Sequence, residues 1–309
     1  MKPRRLETFR ERLELVFEDR AEDVLRYLLE ERPPTYVRVN TLKADVESVV
    51  ESLERAGVRL EETPLPYAFR VLEAPGPMGS SLEHAAGLIY VQDLASMIPP
   101  ELLSPEPPGP VIDACAAPGS KTTQLAQLME GRGVILAVDV DPKRVRSLAH
   151  NVERMGAINV IVAREDATRL RVGAPYILLD PPCTGEGTFH RDSHARETWT
   201  PAKVLRFARK QERLLRAVVE LLPPGGRLVY STCTFSPEEN ELVIHRALGD
   251  DDRFRIVDER PRWLRRHTVP GLTEWEGEEL RPDLRNAFRV DPSSLRSDGF
   301  FIAVIERVS

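Results

Sequence analysis

Two cysteines directly follow apolar runs that are typical of buried parallel strands. Cys183 ends the tetrapeptide DPPC at 180–183, and Cys233 lies in STCT at 231–234. Because the carboxyl ends of parallel strands meet at one edge of a sheet, we expect both thiols at the same site. A thiolate is a strong nucleophile, and the carboxyl group of Asp180 could hydrogen-bond a substrate beside it. The alternative for each cysteine is an inert buried side chain, the usual state of a free cysteine.

The segment SPEEN, which follows Cys233, has the pattern of a helix start. Ser236 is the predicted N-cap, Pro237 takes the first helical position, and Glu239 follows three residues after the cap, as in a capping box. The positive end of such a helix would favour the thiolate form of Cys233. The two prolines of DPPC fix φ and predict a stiff, extended turn.

A loop of small residues joins the predicted strand 111–114 to the predicted helix 122–129, in the segment VIDACAAPGSKTTQLAQLM. It lacks the GxGxxG pattern of dinucleotide sites. It also departs from a phosphate-binding loop, because Ala114 replaces the first glycine and Ser120 interrupts the Gly-Lys pair. Backbone N–H groups at this helix start could closely approach the methionine part of S-adenosylmethionine. An ordinary tight turn is an equally good interpretation of the loop by itself.

Carboxylates follow the next two predicted strands. Asp139 ends the strand 134–139, where a carboxylate can accept hydrogen bonds from both ribose hydroxyls of a nucleoside cofactor. Asp141 precedes a proline, so we assign the helix N-cap to Asp141 and the ligand to Asp139. Asp166 follows the strand 159–163 and could reach an adenine amino group, although that signal is weak by itself.

The elements that would position these residues alternate along the chain. Apolar runs predict strands at 111–114, 134–139, 159–163, 176–180, 227–231 and 300–306, and helical patterns lie between them at 122–129, 143–155, 201–222 and 238–247. This alternation predicts an α/β fold with a doubly wound sheet. Before it, residues 1–32 predict a helical segment and residues 33–80 a small α+β module, which leaves 81–309 for the catalytic domain.

Charge and composition restrict the class of protein. The 309 residues include 43 Lys and Arg against 49 Asp and Glu, and a net charge of −6 counts against a generally basic nucleic-acid-binding surface. Local basic clusters occur at 2–12, 203–216 and 260–267, but each by itself fits a solvated helix face with acidic neighbours.

No segment predicts a membrane span or a signal peptide. The three cysteines form neither a CxxC pair nor a Cys/His cluster, so we expect no metal site. We therefore expect a cytoplasmic protein with free thiols.

Two thiols and a carboxyl group suit a reaction at carbon 5 of cytosine. That carbon is a poor nucleophile, but it becomes enamine-like once a thiolate has added to carbon 6. The reaction then needs a carboxyl group at the base edge and an acceptor for the carbon 5 proton before the thiol can leave. Since an ordinary cysteine has a pKa of about 8.5, the site must lower that pKa or place a base beside the thiol.

Four segments, CAAPGSKT, AVDVDPKR, LDPPCTGEGTF and YSTCTFSPEENE, resemble the Nol/Nop/Sun family of RNA 5-cytosine methyltransferases. The resemblance extends to RVNTLK, GLIYVQDLASMIP and SDGFFIA, so it covers nearly the whole chain. It implies a class I methyltransferase fold with a Rossmann-like sheet, S-adenosyl-L-methionine as methyl donor and RNA as substrate. The module at 33–80 would correspond to the family's small RNA-recognition-like domain.

The resemblance also implies roles for individual residues. Cys233 would attack carbon 6, Cys183 would assist release of the product, Asp180 would hydrogen-bond the cytosine, and Lys121 would reach into the catalytic pocket. Asp139 would hold the ribose and Asp166 the adenine. The full set of predicted cofactor-binding residues is Cys115, Ala116, Ala117, Pro118, Gly119, Ser120, Lys121, Asp139, Arg144, Asp166 and Asp180.

The size of the chain resembles the core-only archaeal branch that modifies tRNA, with rRNA as the alternative substrate. We expect a monomer without the added N-terminal or PUA-like domains of other branches. Three other functions stay open. The protein could methylate an exocyclic base amine, or it could bind RNA without catalysis, for example in ribosome assembly. It could also act on DNA, in which case the nucleophile would correspond to Cys183.

Overall fold

The computed structural model describes all 309 residues, and none of its helices is both long and apolar enough to cross a membrane. Along the chain the α-helices are α1 (Pro3–Phe17), α2 (Ala21–Glu30), α3 (Val46–Arg55), α4 (Leu82–Ala85), α5 (Leu94–Leu103), α6 (Ser120–Leu128), α7 (Pro142–Met155), α8 (Ser193–Thr198), α9 (Pro201–Val219), α10 (Glu241–Leu248) and α11 (Pro292–Leu295).

The β-strands, in chain order, are β1 (Thr35–Val39), β2 (Arg59–Glu62), β3 (Ala68–Glu73), β4 (Ile89–Val91), β5 (Val111–Asp113), β6 (Ile135–Asp139), β7 (Val160–Arg164), β8 (Tyr176–Leu179), β9 (Arg227–Thr232), β10 (Phe254–Val257), β11 (Thr268–Pro270), β12 (Glu274–Trp275), β13 (Glu278–Glu279), β14 (Phe288–Val290) and β15 (Phe300–Arg307). The six strands predicted after residue 81 are confirmed as β5 to β9 and β15, with ends that differ by at most one residue.

Helix α5 was not predicted, because two consecutive prolines argue against a helix interior. Every residue of α5 from Leu94 to Pro100 is buried, so burial of an almost wholly apolar segment outweighs the lost backbone bonds. Pro100 has no N–H to donate to the carbonyl of Ser96. The side chain of Gln92 donates to that carbonyl instead, at 3.3 Å.

The chain forms two compact units, and the first contains residues 1–33, 171–173 and 179–309. Within it, β9, β15, β14 and β11 are neighbours in that order, all antiparallel, and β10 also pairs with β15. The N-terminal helices belong to the core of this unit. Phe9 of α1 contacts the rings of Phe189 and Trp199 at centroid distances of 5.1 and 5.4 Å, and Phe17 contacts Phe235 at 5.0 Å.

The second unit contains residues 34–170 and 174–178. One of its sheets is antiparallel, in the order β2-β3-β1-β4, and its apolar face packs on α3 through side chains such as Val37, Val49, Phe69 and Ile89. Strand β4 lies beyond the boundary at residue 80 that we predicted for the small module. The division into 1–32, 33–80 and 81–309 stays a prediction.

The second unit also holds parallel strands, in the order β8-β5-β6-β7. Their register is set by pairs such as Val111 with Ile135. Because the strands run the same way, their carboxyl ends lie at one edge. The loop 114–119 follows β5 at this edge, Asp139 is the last residue of β6, and Asp166 comes shortly after β7.

Candidate active site

Two cysteines lie side by side in the first unit. The Sγ atoms of Cys183 and Cys233 are 3.3 Å apart, both side chains are half-buried, and both thiols are free. Cys183 follows β8 and Cys233 follows β9, so the ends of two strands bring together residues that are 50 positions apart in the chain. Their catalytic roles stay predictions, but their proximity allows them to act on one ligand atom.

The contact with Cys233 raises the pKa of the Cys183 thiol well above its ordinary value, because Cys183 would lose this hydrogen bond on deprotonation. Burial and the carboxyl groups of Glu239 and Asp180 act in the same direction. Cys183 therefore keeps its proton near neutral pH and can donate it towards the sulfur of Cys233.

The carboxylate of Asp180 is oriented by β9. The hydroxyl of Ser231, which is buried in that strand, donates a hydrogen bond of 2.9 Å to Asp180 Oδ1. A carboxylate can accept several hydrogen bonds, so this bond positions Asp180 without excluding a further donor such as a base amino group. Asp180 also lies close enough to Cys183 to affect its pKa.

A buried glutamate that we had not predicted joins the two cysteine-bearing loops. Glu186, in the loop after Cys183, accepts hydrogen bonds from the backbone N–H groups of Phe235 and Ser236 at 2.7 and 2.8 Å. It also accepts bonds from the Ser236 hydroxyl and from Trp199 Nε1, at 2.5 and 2.7 Å. The three bonds from Phe235 and Ser236 fix the loop after Cys233 against the loop after Cys183, and the bond from Trp199 also holds the Glu186 carboxylate.

The predicted capping box at 236–239 is wrong. Ser236 does not cap a helix, because its hydroxyl binds Glu186. Residues 237–239 form a short 3-10 turn, and α10 begins only at Glu241. Since the helix start is further along the chain than predicted, its positive end is no longer an argument for a thiolate at Cys233.

Glu239 turns instead into the protein interior. Its Oε2 accepts hydrogen bonds from the backbone N–H of Thr184 at 3.1 Å and from Gln211 Nε2 at 2.8 Å, and its Oε1 contacts the Thr184 hydroxyl. That hydroxyl lies 2.9 Å from the hydroxyl of Thr234. Burial above all, with repulsion from Glu186, raises the pKa of Glu239 to about 8. Near neutral pH the Glu239 carboxyl group is therefore mostly protonated, and in that form it holds Thr184, the residue after Cys183.

In the second unit, the predicted cofactor loop runs from Cys115 to Lys121 between β5 and α6. Gly119 has a φ of +106°, and a side chain there would meet Leu148 at 3.0 Å, so only glycine suits the position. The loop is held to the strands by a bond of 2.9 Å from Ala116 N–H to the carbonyl of Val138. Lys121 is buried within the first turn of α6.

Asp141 is the N-cap of α7, as the sequence predicted, and the role of Asp139 as a cofactor ligand stays a prediction. Asp141 caps α7 by accepting bonds from the N–H groups of Lys143 and Arg144 at 2.7 and 3.1 Å. Asp139 is buried at the end of β6, where Arg144 lies 3.3 Å from its Oδ2. The Arg144 guanidinium also donates to the carbonyl of Ala117, so it ties the small-residue loop to the strand that carries Asp139.

Asp139 and the small-residue loop are the residues that could hold a nucleoside cofactor. The glycine at 119 lets the loop pack closely on α7, and the Asp139 carboxylate has acceptor positions for hydroxyl donors in addition to its bond from the N–H of Asp141. Asp166 caps a short 3-10 turn, accepting bonds from Thr168 N–H and its hydroxyl at 3.0 and 2.8 Å. Asp166 thus has a structural task beside the predicted one.

Arg38 of β1, within RVNTLK, is another residue for which the sequence suggested no role. Its fully buried guanidinium donates hydrogen bonds to Gln92, Thr123 and Gln127 at 2.8, 2.8 and 2.6 Å, and to the carbonyl of Ser120 at 3.3 Å. Burial lowers the pKa of Arg38 to about 10, so the group stays charged at neutral pH. A single arginine within an otherwise apolar strand was the available signal. It anchors the start of α6 at the end of the predicted cofactor loop.

The predicted site residues thus fall into two groups. Cys183, Cys233 and Asp180 lie together in the first unit, and Cys115 to Lys121, Asp139, Arg144 and Asp166 lie in the second. The buried Glu186 and Glu239 complete the first group. Glutamates beside strand-end cysteines, in segments of small and apolar residues, were the signal that could have revealed them.

Comparison with protein families gives two matches. The model of the 16S rRNA methyltransferase RsmB/F family matches residues 100–306, and the model of the RsmF/B-like ferredoxin-like domain matches residues 7–78.

Individual relatives give the same result. Ribosomal RNA small subunit methyltransferase F of Vibrio parahaemolyticus is 38% identical over 285 residues, which make up 88% of this chain but only 56% of that protein. The chain therefore spans little more than half the length of this relative. The tRNA (cytosine(49)-C(5))-methyltransferase of Pyrococcus abyssi is 34% identical over 94% of this chain and 93% of its own. The crystal structure of a methyltransferase homologue from Pyrococcus horikoshii superimposes with a TM-score of 0.84 at 37% identity, over 99% of this chain and 100% of that one.

Proposed function

Because the chain belongs to the RsmB/F methyltransferase family, we propose that it methylates carbon 5 of cytosine in RNA through a covalent adduct with Cys233. The resemblance seen in the motifs is confirmed, as is the class I methyltransferase fold with a ferredoxin-like N-terminal module. The observation that supports this chemistry most directly is the distance of 3.3 Å between the Cys183 and Cys233 sulfurs.

The two thiols differ in a way that suits two different tasks. Cys183 keeps its proton, since its pKa is raised by the hydrogen bond to Cys233, by burial and by nearby carboxyl groups. Cys233 is then the better nucleophile for carbon 6, and Asp180, held by Ser231, hydrogen-bonds the cytosine. When the bond between carbon 6 and sulfur breaks, the Cys183 thiol can give its proton to the departing sulfur. The Cys183 thiolate then accepts the proton of carbon 5 as the double bond between carbon 5 and carbon 6 re-forms, so both thiols end protonated.

S-Adenosyl-L-methionine, when bound, supplies an electrophilic methyl group. We assign its ribose to Asp139, its adenine to Asp166 and its methionine part to the loop from Cys115 to Lys121. The buried carboxylate of Asp139 and the position of the loop at the N-terminus of α6 support this assignment. Arg144 contributes by holding the loop and the Asp139 carboxylate in fixed positions relative to each other.

We propose tRNA as the substrate. The relative from Pyrococcus abyssi is named for a tRNA cytosine and matches this chain over almost the full length of both proteins. The second candidate is rRNA, which is favoured by the 38% identity to a ribosomal RNA methyltransferase. That relative is much longer than the matched region, so its RNA could be recognised by parts that have no counterpart in the alignment.

Labelled methyl transfer to unmodified tRNA and rRNA transcripts tests the reaction and the substrate. We expect 5-methylcytidine in tRNA, identified by nucleoside analysis and located by bisulfite mapping. Product only in rRNA would keep the chemistry and refute the tRNA assignment. If neither RNA gains 5-methylcytidine while the protein binds S-adenosylmethionine, the proposed reaction is wrong for these substrates.

Substitution of each cysteine tests the division of labour. Cys183→Ala should form the adduct but release it slowly, which leaves a protein–RNA complex on a denaturing gel. Cys233→Ala should abolish methylation and give no such complex, and the double variant is the matched control that should give none either. A trapped complex with Cys233→Ala instead would mean that the two roles are reversed.

A further inference from the structure

One face of α9 carries five basic side chains, which we call the α9 basic stripe: Lys203, Arg206, Arg209, Lys210 and Arg213. At 3.6 residues per turn, these positions fall within about a third of the circumference of the helix. The opposite face is buried and includes Val204, Ala208, Gln211 and Leu215. The stripe is therefore the outward face of a helix that is firmly packed in the first unit.

The cations of the stripe are not neutralised by carboxylates. The Lys203 ammonium donates to the hydroxyl of Thr198 at 2.8 Å, and the Arg206 guanidinium lies 5.5 Å from the ring of Phe207. Arg216, on the same helix but outside the stripe, does form an ion pair with Glu212, at 2.9 Å. A chain with a net charge of −6 has ample carboxylates for such pairs, so clustered unpaired cations indicate a polyanionic partner.

The surface beside the stripe is concave. A groove of about 540 Å³ is lined by His194, Thr198, Thr200, Ala202, Lys203 and Arg206. A second groove of about 440 Å³ is lined by Arg206, Phe207, Arg209, Lys210 and Arg213. Arg206 lines both, so the two grooves lie next to each other along the stripe. Hydroxyl groups and cations are the side chains that commonly bind phosphate oxygens.

The inner face of α9 contacts the cysteine-bearing loop. Gln211 Nε2 donates to the carbonyl of Pro182 at 3.0 Å and to Glu239 at 2.8 Å. Pro182 directly precedes Cys183. An anion bound to the outer face of α9 is thus connected to the Cys183 loop through one rigid helix.

We propose that the α9 basic stripe binds the phosphodiester backbone of the substrate RNA and so positions it relative to the cysteine pair. This proposal rests on the proposed function, since it takes RNA as the substrate. Its five cations extend over about 15 Å of helix, at 1.5 Å per residue. Binding there is independent of sequence and sensitive to salt.

The test is a triple substitution, Arg206→Gln, Arg209→Gln and Arg213→Gln, which changes three exposed side chains. The dissociation constant for a tRNA transcript is measured by fluorescence anisotropy over a range of KCl concentrations. Loss of three phosphate contacts should weaken binding by on the order of 10- to 100-fold at 0.1 M salt. The slope of log affinity against log salt should become shallower by about 2. An unchanged slope overturns the proposal, and a partner of another class would then have to explain the stripe.

The matched control removes the same charge from three exposed arginines of the first unit that do have carboxylate partners. These are Arg26→Gln, Arg255→Gln and Arg265→Gln, which bond to Asp23, Glu306 and Asp258 at 2.6, 2.8 and 3.1 Å. The control should keep the affinity and the salt slope of the wild-type protein. An equal loss in both triple variants would show that total charge matters and the stripe does not.

The same variants separate this proposal from the proposed function. If the wild-type protein makes 5-methylcytidine and the stripe variant binds RNA normally, only the stripe proposal fails. If RNA binding depends on the stripe but no 5-methylcytidine forms, the reaction is wrong and the binding surface stands.

Discussion

Replacement of Glu239 by glutamine should change how the stability of the protein depends on pH. The carboxyl group is buried, and its pKa is raised from an ordinary 4.5 to about 8, by desolvation first and by repulsion from Glu186 second. The folded protein therefore holds a proton that the unfolded chain has released. At low pH this proton increases the free energy of unfolding. That contribution is lost as the pH rises from about 4.5 to about 8.

The size of the effect follows from the shift in pKa. Each pH unit within that window costs the wild-type protein about 1.4 kcal/mol, so the total loss above the window is about 5 kcal/mol. A glutamine keeps all the hydrogen bonds of the protonated acid. Its oxygen can accept from Thr184 N–H and Gln211, and its amide can donate to the Thr184 hydroxyl. The variant should be about as stable as the wild type near pH 5 and more stable near pH 8.

Urea denaturation of both proteins at intervals between pH 5 and pH 9 measures this difference. Glu279→Gln, at an exposed position, controls for the loss of one surface charge. Glu239→Ala should be less stable than Glu239→Gln at every pH, since it leaves two buried donors unpaired at about 1–3 kcal/mol each. A difference between Glu239→Gln and wild type that stays constant over the whole pH range would refute the assigned pKa.

Two further substitutions test the cofactor site and the packing around the cysteine loops. Asp139→Asn should weaken binding of S-adenosylmethionine about 10- to 100-fold in calorimetry, because an amide accepts fewer hydrogen bonds and no longer pairs with Arg144; unchanged affinity would exclude Asp139 as the ribose ligand. Gly187→Ala should lower the free energy of unfolding by about 1–3 kcal/mol, since a Cβ would lie 2.1 Å from the carbonyl oxygen of Gly299. Gly76→Ala, with nothing within 4 Å, is its control, and equal melting temperatures for the two variants would contradict the packing argument.

Much of the fold followed from local patterns in the sequence. Buried strands appear in the sequence as continuous apolar runs, so β5 to β9 and β15 were predicted with nearly correct ends. Prediction failed where side chains replace the expected backbone bonds or draw a capping residue away. Gln92 donates to the carbonyl of Ser96, which Pro100 cannot do, and Glu186 binds the Ser236 hydroxyl that was expected to cap a helix.

The sequence by itself also determined which residues are available for chemistry. Cys183, Cys233 and Asp180 could be assigned to strand ends, because a strand and the residues that end it are consecutive in the chain. Only the tertiary structure decided that the two sulfurs lie 3.3 Å apart and that Cys183 is the thiol that keeps its proton. Proton affinity depends on burial and on neighbours such as Glu239, and those arise from packing between segments that the sequence leaves far apart.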